Sequence, residues 1–337
     1  MTAKIDNPEQ GIPAGQAREW NWNPDLPIPT SPVFSWPPRP LAALKWLSSE
    51  WLAISAMVLE FALAFAVWEF LQPDAEEMKT FAFGWILQIY IRNLLFLSLI
   101  AGGLHIYLYS FRKQGSNLKY DPRDLAKENR RFAFRNQVYD NMFWSLASGV
   151  AFWTAYEAVY YWAAANSFVP TLTFIQNPVW FVAWFLLIPI WSSLYFYWIH
   201  RALHWPPLYR LAHSVHHRNI NVGPWSGISM HPVEHIIYFS SILIHAVVAS
   251  HPVHVMFHLY IQALDPAFSH SGFDGLVLKD KKRMELGDFF HQLHHRFFDC
   301  NYGTSEMPWD RWFNSFHDGT AASLERLRKT GSKNRRR

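Results

Sequence analysis

Residues 200–217 read HRALHWPPLYRLAHSVHH, and residues 291–295 read HQLHH. These stretches hold three histidine boxes: His200 and His204, then His213, His216 and His217, then His291, His294 and His295. Spacings of i, i+3 and i+4 stack side chains on one face of a helix, so the imidazoles of a box converge on one point. Imidazole is the commonest side-chain metal ligand and binds iron, zinc, copper or nickel through a neutral nitrogen. A lone HxxxH more often serves packing or hydrogen bonding. Eight histidines in three boxes, however, exceed what one tetrahedral zinc can use, and the arithmetic points to two metal ions. Fifteen of the 17 histidines lie between His200 and His295.

Outward from the boxes the chain is strongly apolar. It has 337 residues, of which 50% are apolar and 18% aromatic, and long apolar runs alternate with polar segments in a membrane pattern. Four runs are long enough to cross a hydrocarbon core of about 30 Å: residues 51–71, 83–110, 140–163 and 179–199. Few charges interrupt them, and Glu60 and Glu69, Arg92, and Glu157 are expected to pair within the bundle or lie near an interface. The loop between the second and third runs carries eight Lys or Arg against three acids, while the flanking loops are acidic or uncharged. The positive-inside rule puts the basic loop, the N-terminus, the histidine boxes and the basic tail RLRKTGSKNRRR in the cytoplasm. A fifth apolar stretch, 236–264, is interrupted by His245, His251, Pro252, His254 and His258 and reads as a re-entrant helical pair. Were it to cross, the third box would face the opposite side from the first two.

The expected architecture is therefore all-α: an integral membrane helical bundle of about four transmembrane helices plus a re-entrant pair, with a cytoplasmic histidine-box helical cap. Its divisions are a Pro/Trp-rich arm (1–45), membrane helices with the basic loop (46–178), a catalytic region (179–318) and a basic tail (319–337). The arm is polar, with no apolar signal-type run, and Trp20, Trp22 and Trp36 suit either an interface or packing onto the catalytic region. The single cysteine, Cys300, excludes an intrachain disulfide and a multi-thiolate site. A net charge of +4 gives no reason to invoke nucleic acid, and the clustered basic residues better suit an anionic lipid surface.

The ordered set HRALH, HSVHH, HPVE (231–234), SHSGFD (269–274), HQLHH and NYG…WDRWF resembles the fatty acid hydroxylase and sterol desaturase superfamily over residues 180–318. The resemblance implies a non-haem centre of two iron ions (zinc as purified is an alternative), with O2 as co-substrate. Its ligands would be His200, His204, His213, His216, His217, His270, His291, His294 and His295, with His231 as a tenth and His235 as its runner-up. Metal-bound histidines donate their second N–H to an outer partner, for which Glu234, Asp265, Asp274, Asp288, Asp299 and Asp310 are the candidates. The other histidines of the re-entrant pair, and His105, are expected to pack or hydrogen-bond.

The implied reaction is O2-dependent hydroxylation or desaturation of a lipid, a sterol, fatty acyl or related chain, drawn from the bilayer. No flavin, nicotinamide or haem fingerprint occurs in the sequence, so electrons would come from a cytochrome b5 or ferredoxin with its reductase. The membrane would be a bacterial inner membrane or the endoplasmic reticulum. Two rivals stand beside this reading, a di-zinc membrane hydrolase and a His-lined metal or proton transporter.

Overall fold

The computed structural model describes residues 20–48 and 55–334. The first expected span therefore starts outside the described residues, as do the first half of the arm and the last three residues of the tail. A short helix α1 (Pro40–Trp46) follows the arm, and α2 (Ala56–Phe70) starts where the Ser55 hydroxyl accepts from Val58 N. Next comes α3 (Phe83–His105), extended by a π-helical turn, Ile106–Ser110. A second long rod consists of α4 (Gln137–Phe143), a π segment (Trp144–Gly149) and α5 (Val150–Ala165). The helix α6 (Pro178–Leu203) is set by Asn177, whose side chain accepts from Trp180 N, with Pro178 at its first turn. Two helices, Phe83–Ser110 and Pro178–Leu203, are long and apolar enough to cross a membrane.

Pro206 and Pro207 break the chain after α6 into the single turn α7 (Pro206–Leu208), followed by a π turn, Tyr209–His213, and a 3-10 turn, His216–Arg218. The expected re-entrant stretch resolves into α8 (Pro232–Phe239), a 3-10 run (Ser240–Ala246) and α9 (Pro252–Ala263). Nearly every side chain of α9 is buried, and it packs against α2, α5 and α6. Its histidines are structural, as expected. His258 bonds Ser241 Oγ (3.0 Å) and His245 (3.1 Å), and His254 Nε2 donates to the Phe181 carbonyl (2.9 Å). The short α10 (Asp265–Ser269) leads to a hairpin of β1 (Gly275–Leu278) and β2 (Lys281–Glu285), and the chain closes with α11 (Phe289–Phe297), α12 (Trp309–Trp312) and α13 (Ala321–Asn334).

The described residues are mostly helical, and the hairpin is a small β addition that the sequence reading did not include. Its turn residues, Lys279 and Asp280, both have positive φ (52° and 57°), the geometry of a tight two-residue turn, reached without the Asn-Gly or Asp-Gly pair that would have announced it. The arm packs on the C-terminal region instead of lying free: Trp20 meets Phe289 edge-on, the Arg296 guanidinium sits 4.1 Å above the Trp20 ring, and Ile28 N donates to Asp318 O (3.0 Å). Trp36, by contrast, is exposed.

Of the intrahelical charges, Arg92 and Glu157 pair within the bundle. Arg92 on α3 forms a fully buried ion pair with Glu157 on α5, whose second oxygen accepts from Asn93 Nδ2 at 2.9 Å. Removing one partner strands the other in a low-dielectric interior. Arg92→Met alone is expected to cost about 3–5 kcal/mol, while pairing it with Glu157→Met restores most of the loss. Thermal melts of the three proteins in detergent check this, and equal melting of single and double variants would contradict it.

Candidate metal centre

The three boxes converge as their spacing requires, but each HxxHH box is divided between two clusters. His200, His204, His213, His217 and His294 form one group, and His216, His270, His291 and His295 the other, with the candidate ligand atoms of each group within 4.8 Å of one another. On a helix, residues i and i+4 lie about 40° apart around the axis and i+3 lies about 100° from i+4. The pair His291/His295 on α11 therefore serves one cluster while His294 turns to the other. In the second box the roles are exchanged: His213 and His217 go to the first cluster and His216 to the second.

Hydrogen bonds at the far side of the rings fix which nitrogen faces inward. His200 Nδ1 donates to the Tyr302 carbonyl (2.7 Å), His294 Nδ1 to the Cys300 carbonyl (2.6 Å) and His270 Nδ1 to the Pro266 carbonyl (3.0 Å). A carbonyl only accepts, so each of these rings carries its proton on Nδ1 and presents a bare Nε2 lone pair. His213 Nδ1 makes the corresponding bond to Glu234 Oε1 at 2.6 Å. The inward nitrogens then crowd together: His294 Nε2 lies 3.0 Å from His217 Nε2, and His270 Nε2 lies 3.1 and 3.2 Å from Nε2 of His291 and His295. His200 Nε2 is buried without any partner.

Lone pairs turned toward one another in a buried site repel unless a cation lies between them. Two imidazole nitrogens about 2.1 Å from one ion and at right angles to each other stand about 3.0 Å apart, close to the spacing found. The donor set fits two metal ions. Five and four neutral nitrogens suit borderline divalent metals and leave an octahedral ion with unfilled positions.

Burial, reinforced for most of them by neighbouring imidazoles, drives His204, His216, His217, His270, His291, His294 and His295 well below the usual histidine range. Burial alone takes His213 down to about 3. The protein thus holds these rings in the neutral form that metals bind. Burial pushes the Glu234 carboxyl up to about 8, against a smaller pull from His231.

His231 is not brought into either cluster. It caps α8, its side chain accepting from Val233 N, because HPVE starts a helix with proline at its first position. His235 also stands apart, bonded to Ser148 Oγ (2.9 Å) and the Ile228 carbonyl (3.1 Å). Of the six acidic candidates, Glu234 bonds a ring of the clusters, His213. Asp310 acts one step further out: it accepts from Tyr302 N (2.8 Å) and Gly303 N (2.7 Å) and so fixes the loop whose carbonyl holds His200. Asp288 caps α11, and Asp274 pairs with Lys282 at 2.6 Å. Burial raises Asp265 to about 7 where it faces the adjoining cavity. Asp299 adds its charge beside Tyr209 and Tyr302. The carbonyl partners at Tyr302, Cys300 and Pro266 escaped sequence reading, since any residue type supplies a carbonyl.

A cavity of about 720 Å³ opens against the centre, touching His200, His213, His216, His270 and His291. Phe196, Ile199, Met230 and Phe268 form part of its apolar wall, and the arm contributes Ile28, Pro29 and Thr30. Gly227 also borders it. A Cβ there would come 2.3 Å from the Pro266 carbonyl oxygen that holds His270, so only glycine fits.

A buried centre of nine imidazoles, divided between two clusters on a helical scaffold, defines the class of protein. Residues 184–315 match the fatty acid hydroxylase family. Relatives include the Delta(7)-sterol 5(6)-desaturase of Candida albicans, 31% identical over 36% of this chain and 30% of the relative, and that of Saccharomyces cerevisiae, 30% identical over 39% and 36%. Mouse lathosterol oxidase is 32% identical over 39% of this chain and 46% of the relative. Through this region the chain is similar to the fatty acid hydroxylase and sterol desaturase superfamily. It spans between 30% and 46% of the length of these relatives. No solved structure matches.

The buried imidazoles also set a pH dependence. A histidine whose folded pKa lies below its unfolded value of about 6.5 contributes stability that is lost as pH falls through that value. The raised carboxyls Glu234, Asp265, Asp288 and Asp310 act in the opposite sense, but they are four against eight such rings. Chelator-treated protein should melt at progressively lower temperature between about pH 6.5 and 5. A flat or rising profile over that window would contradict the assignment of neutral buried rings.

Proposed function

We propose that this protein is a membrane oxidoreductase that uses O2 and external electrons to hydroxylate or desaturate a lipid, a sterol or related molecule, at a pair of iron ions. The observation that carries the reading is the nine-imidazole centre facing a largely apolar cavity of about 720 Å³. The sterol-acting relatives support the substrate class. His200, His204, His213, His217 and His294 would hold one ion, and His216, His270, His291 and His295 the other. When bound, the iron pair supplies the O2 chemistry that attacks an unactivated C–H bond.

The chain's own residues do the rest. The carbonyls of Tyr302, Cys300 and Pro266 keep the ring protons on Nδ1, and the Glu234 carboxyl bonds the Nδ1 side of His213, so that four rings stay oriented. Phe196, Ile199, Met230 and Phe268 exclude bulk water and lay an apolar chain beside the centre. Hydroxylation consumes one O2, two electrons and two protons and yields the alcohol and one water, whereas desaturation with the same inputs yields the alkene and two waters. The electrons come from a cytochrome b5- or ferredoxin-type donor with its reductase.

We take the two long apolar helices, α2 and the α4–α5 rod as four membrane crossings; the positive-inside rule supports a cytoplasmic side for the basic loop 111–137, and with it the histidine boxes and both termini, in a bacterial inner membrane or the endoplasmic reticulum. Protein purified without oxygen should hold about two irons per chain and consume O2 when given reductant and a membrane lipid extract. His216→Ala and His294→Ala should abolish uptake while helical content, by circular dichroism, stays. Two zincs with no uptake after iron reconstitution, or full turnover in both variants, would overturn the reading.

A further inference from the structure

The cavity beside the histidines carries a charge pattern that metal binding leaves unexplained. Among the described residues it is bordered by seven carboxyl groups and by no lysine or arginine. Four of the seven have other work. Glu234 holds His213, Asp288 caps α11, and Asp274 and Glu285 both pair with Lys282. Glu306 sits at the exposed rim.

Glu60 and Asp265 remain, on α2 and at the start of α10, with Gln262 from the end of α9 beside them on the cavity wall. Glu60 is 1% exposed and Gln262 4% exposed, and Oε1 of each has no hydrogen-bond partner. The Gln262 amide is held in place, since its Nε2 donates to the Tyr238 carbonyl (2.9 Å) while the Tyr238 hydroxyl donates to the Gln262 carbonyl (2.8 Å). Both orphaned atoms are acceptors, and a buried acceptor left unpaired is costly.

We propose that Glu60, Gln262 and Asp265 bind the uncharged hydroxyl head of the substrate, so that the protein takes neutral hydroxyl-bearing lipids and rejects free fatty acids and phosphate-bearing lipids. The inference rests on the cavity being the substrate site of the oxidoreductase. A hydroxyl supplies the donor the orphaned oxygens lack, and its own oxygen accepts from a protonated carboxyl. A carboxylate or phosphate head would lie against Glu60 and Asp265 with no lysine or arginine on the cavity wall to offset the loss of its hydration. A ketone offers only another acceptor. The volume falls in the range of single-ligand pockets, about 300–1,000 Å³. The same chemistry is presented by a rigid sterol or by a flexible long-chain alcohol.

The test is equilibrium binding of radiolabelled cholesterol and 1-octadecanol to the full chain in nanodiscs, with cholest-4-en-3-one, octadecanoate and octadecylamine as head-group controls. In the wild-type protein at least one alcohol should bind about tenfold or more tightly than its matching ketone or acid, and the skeleton that binds identifies the source. Glu60→Leu should lower alcohol affinity about tenfold and leave ketone affinity within about twofold, and Glu60→Gln should recover part of the loss. Octadecanoate or the ketone binding as tightly as the alcohols would overturn the proposal, as would octadecylamine binding more tightly than octadecanol. Iron content and O2 uptake are measured on the same preparation. Loss of head-group selectivity with both intact removes this inference alone, and absence of iron with selectivity intact removes the oxidoreductase reading alone.

Discussion

Everything in this structure depends on where the protons of the buried histidines sit. A ring with its proton on Nδ1 is a ligand through Nε2, whereas a ring of the other tautomer offers only its Nδ1. Three backbone carbonyls settle the matter for His200, His270 and His294, and each of these acceptors has its own support. The Tyr302 carbonyl is steadied by Asp310, which also accepts from Ser315 Oγ at 2.6 Å. The Cys300 carbonyl is delivered by a sharp reversal at the end of α11, where Phe298 takes a φ of 67°, a left-handed conformation costing a bulky residue about 1–3 kcal/mol. The Pro266 carbonyl lies against Gly227, the one residue small enough to let it stay.

The helical bundle serves this arrangement. α6 runs out of the apolar region directly into the first box, and the prolines after it turn the chain so that the second box faces the first. α9, buried on nearly all sides, ties α2, α5 and α6 together and leads through Leu264 into α10, from which His270 reaches the second cluster. The cavity lies where these parts meet, so one space touches the clustered imidazoles, the α2 carboxyl of Glu60 and the N-terminal arm.

Much of this was legible in the sequence because it is periodic. The boxes and the apolar runs follow from spacing, and the cost of burying charge called for partners inside the bundle, though not for the particular pair Arg92–Glu157. What stayed hidden depends on three-dimensional placement. The division of each HxxHH box between two clusters needs the orientation of α11 against the first two boxes. The capping role of His231 was masked because HPVE reads equally as a ligand motif and as a helix start. The hairpin at residues 275–285 lacks a turn signature, and Glu60 read as a mere intramembrane charge, since nothing in the run LEFALAF indicates that it lines a cavity.

The central claim is that two metal ions sit in two separate all-imidazole clusters. Anomalous diffraction at the iron edge from iron-loaded crystals addresses it directly. Two peaks per chain, one among His200, His204, His213, His217 and His294 and one among His216, His270, His291 and His295, are the predicted result. A single peak shared by both groups, or a peak at His231, would contradict it.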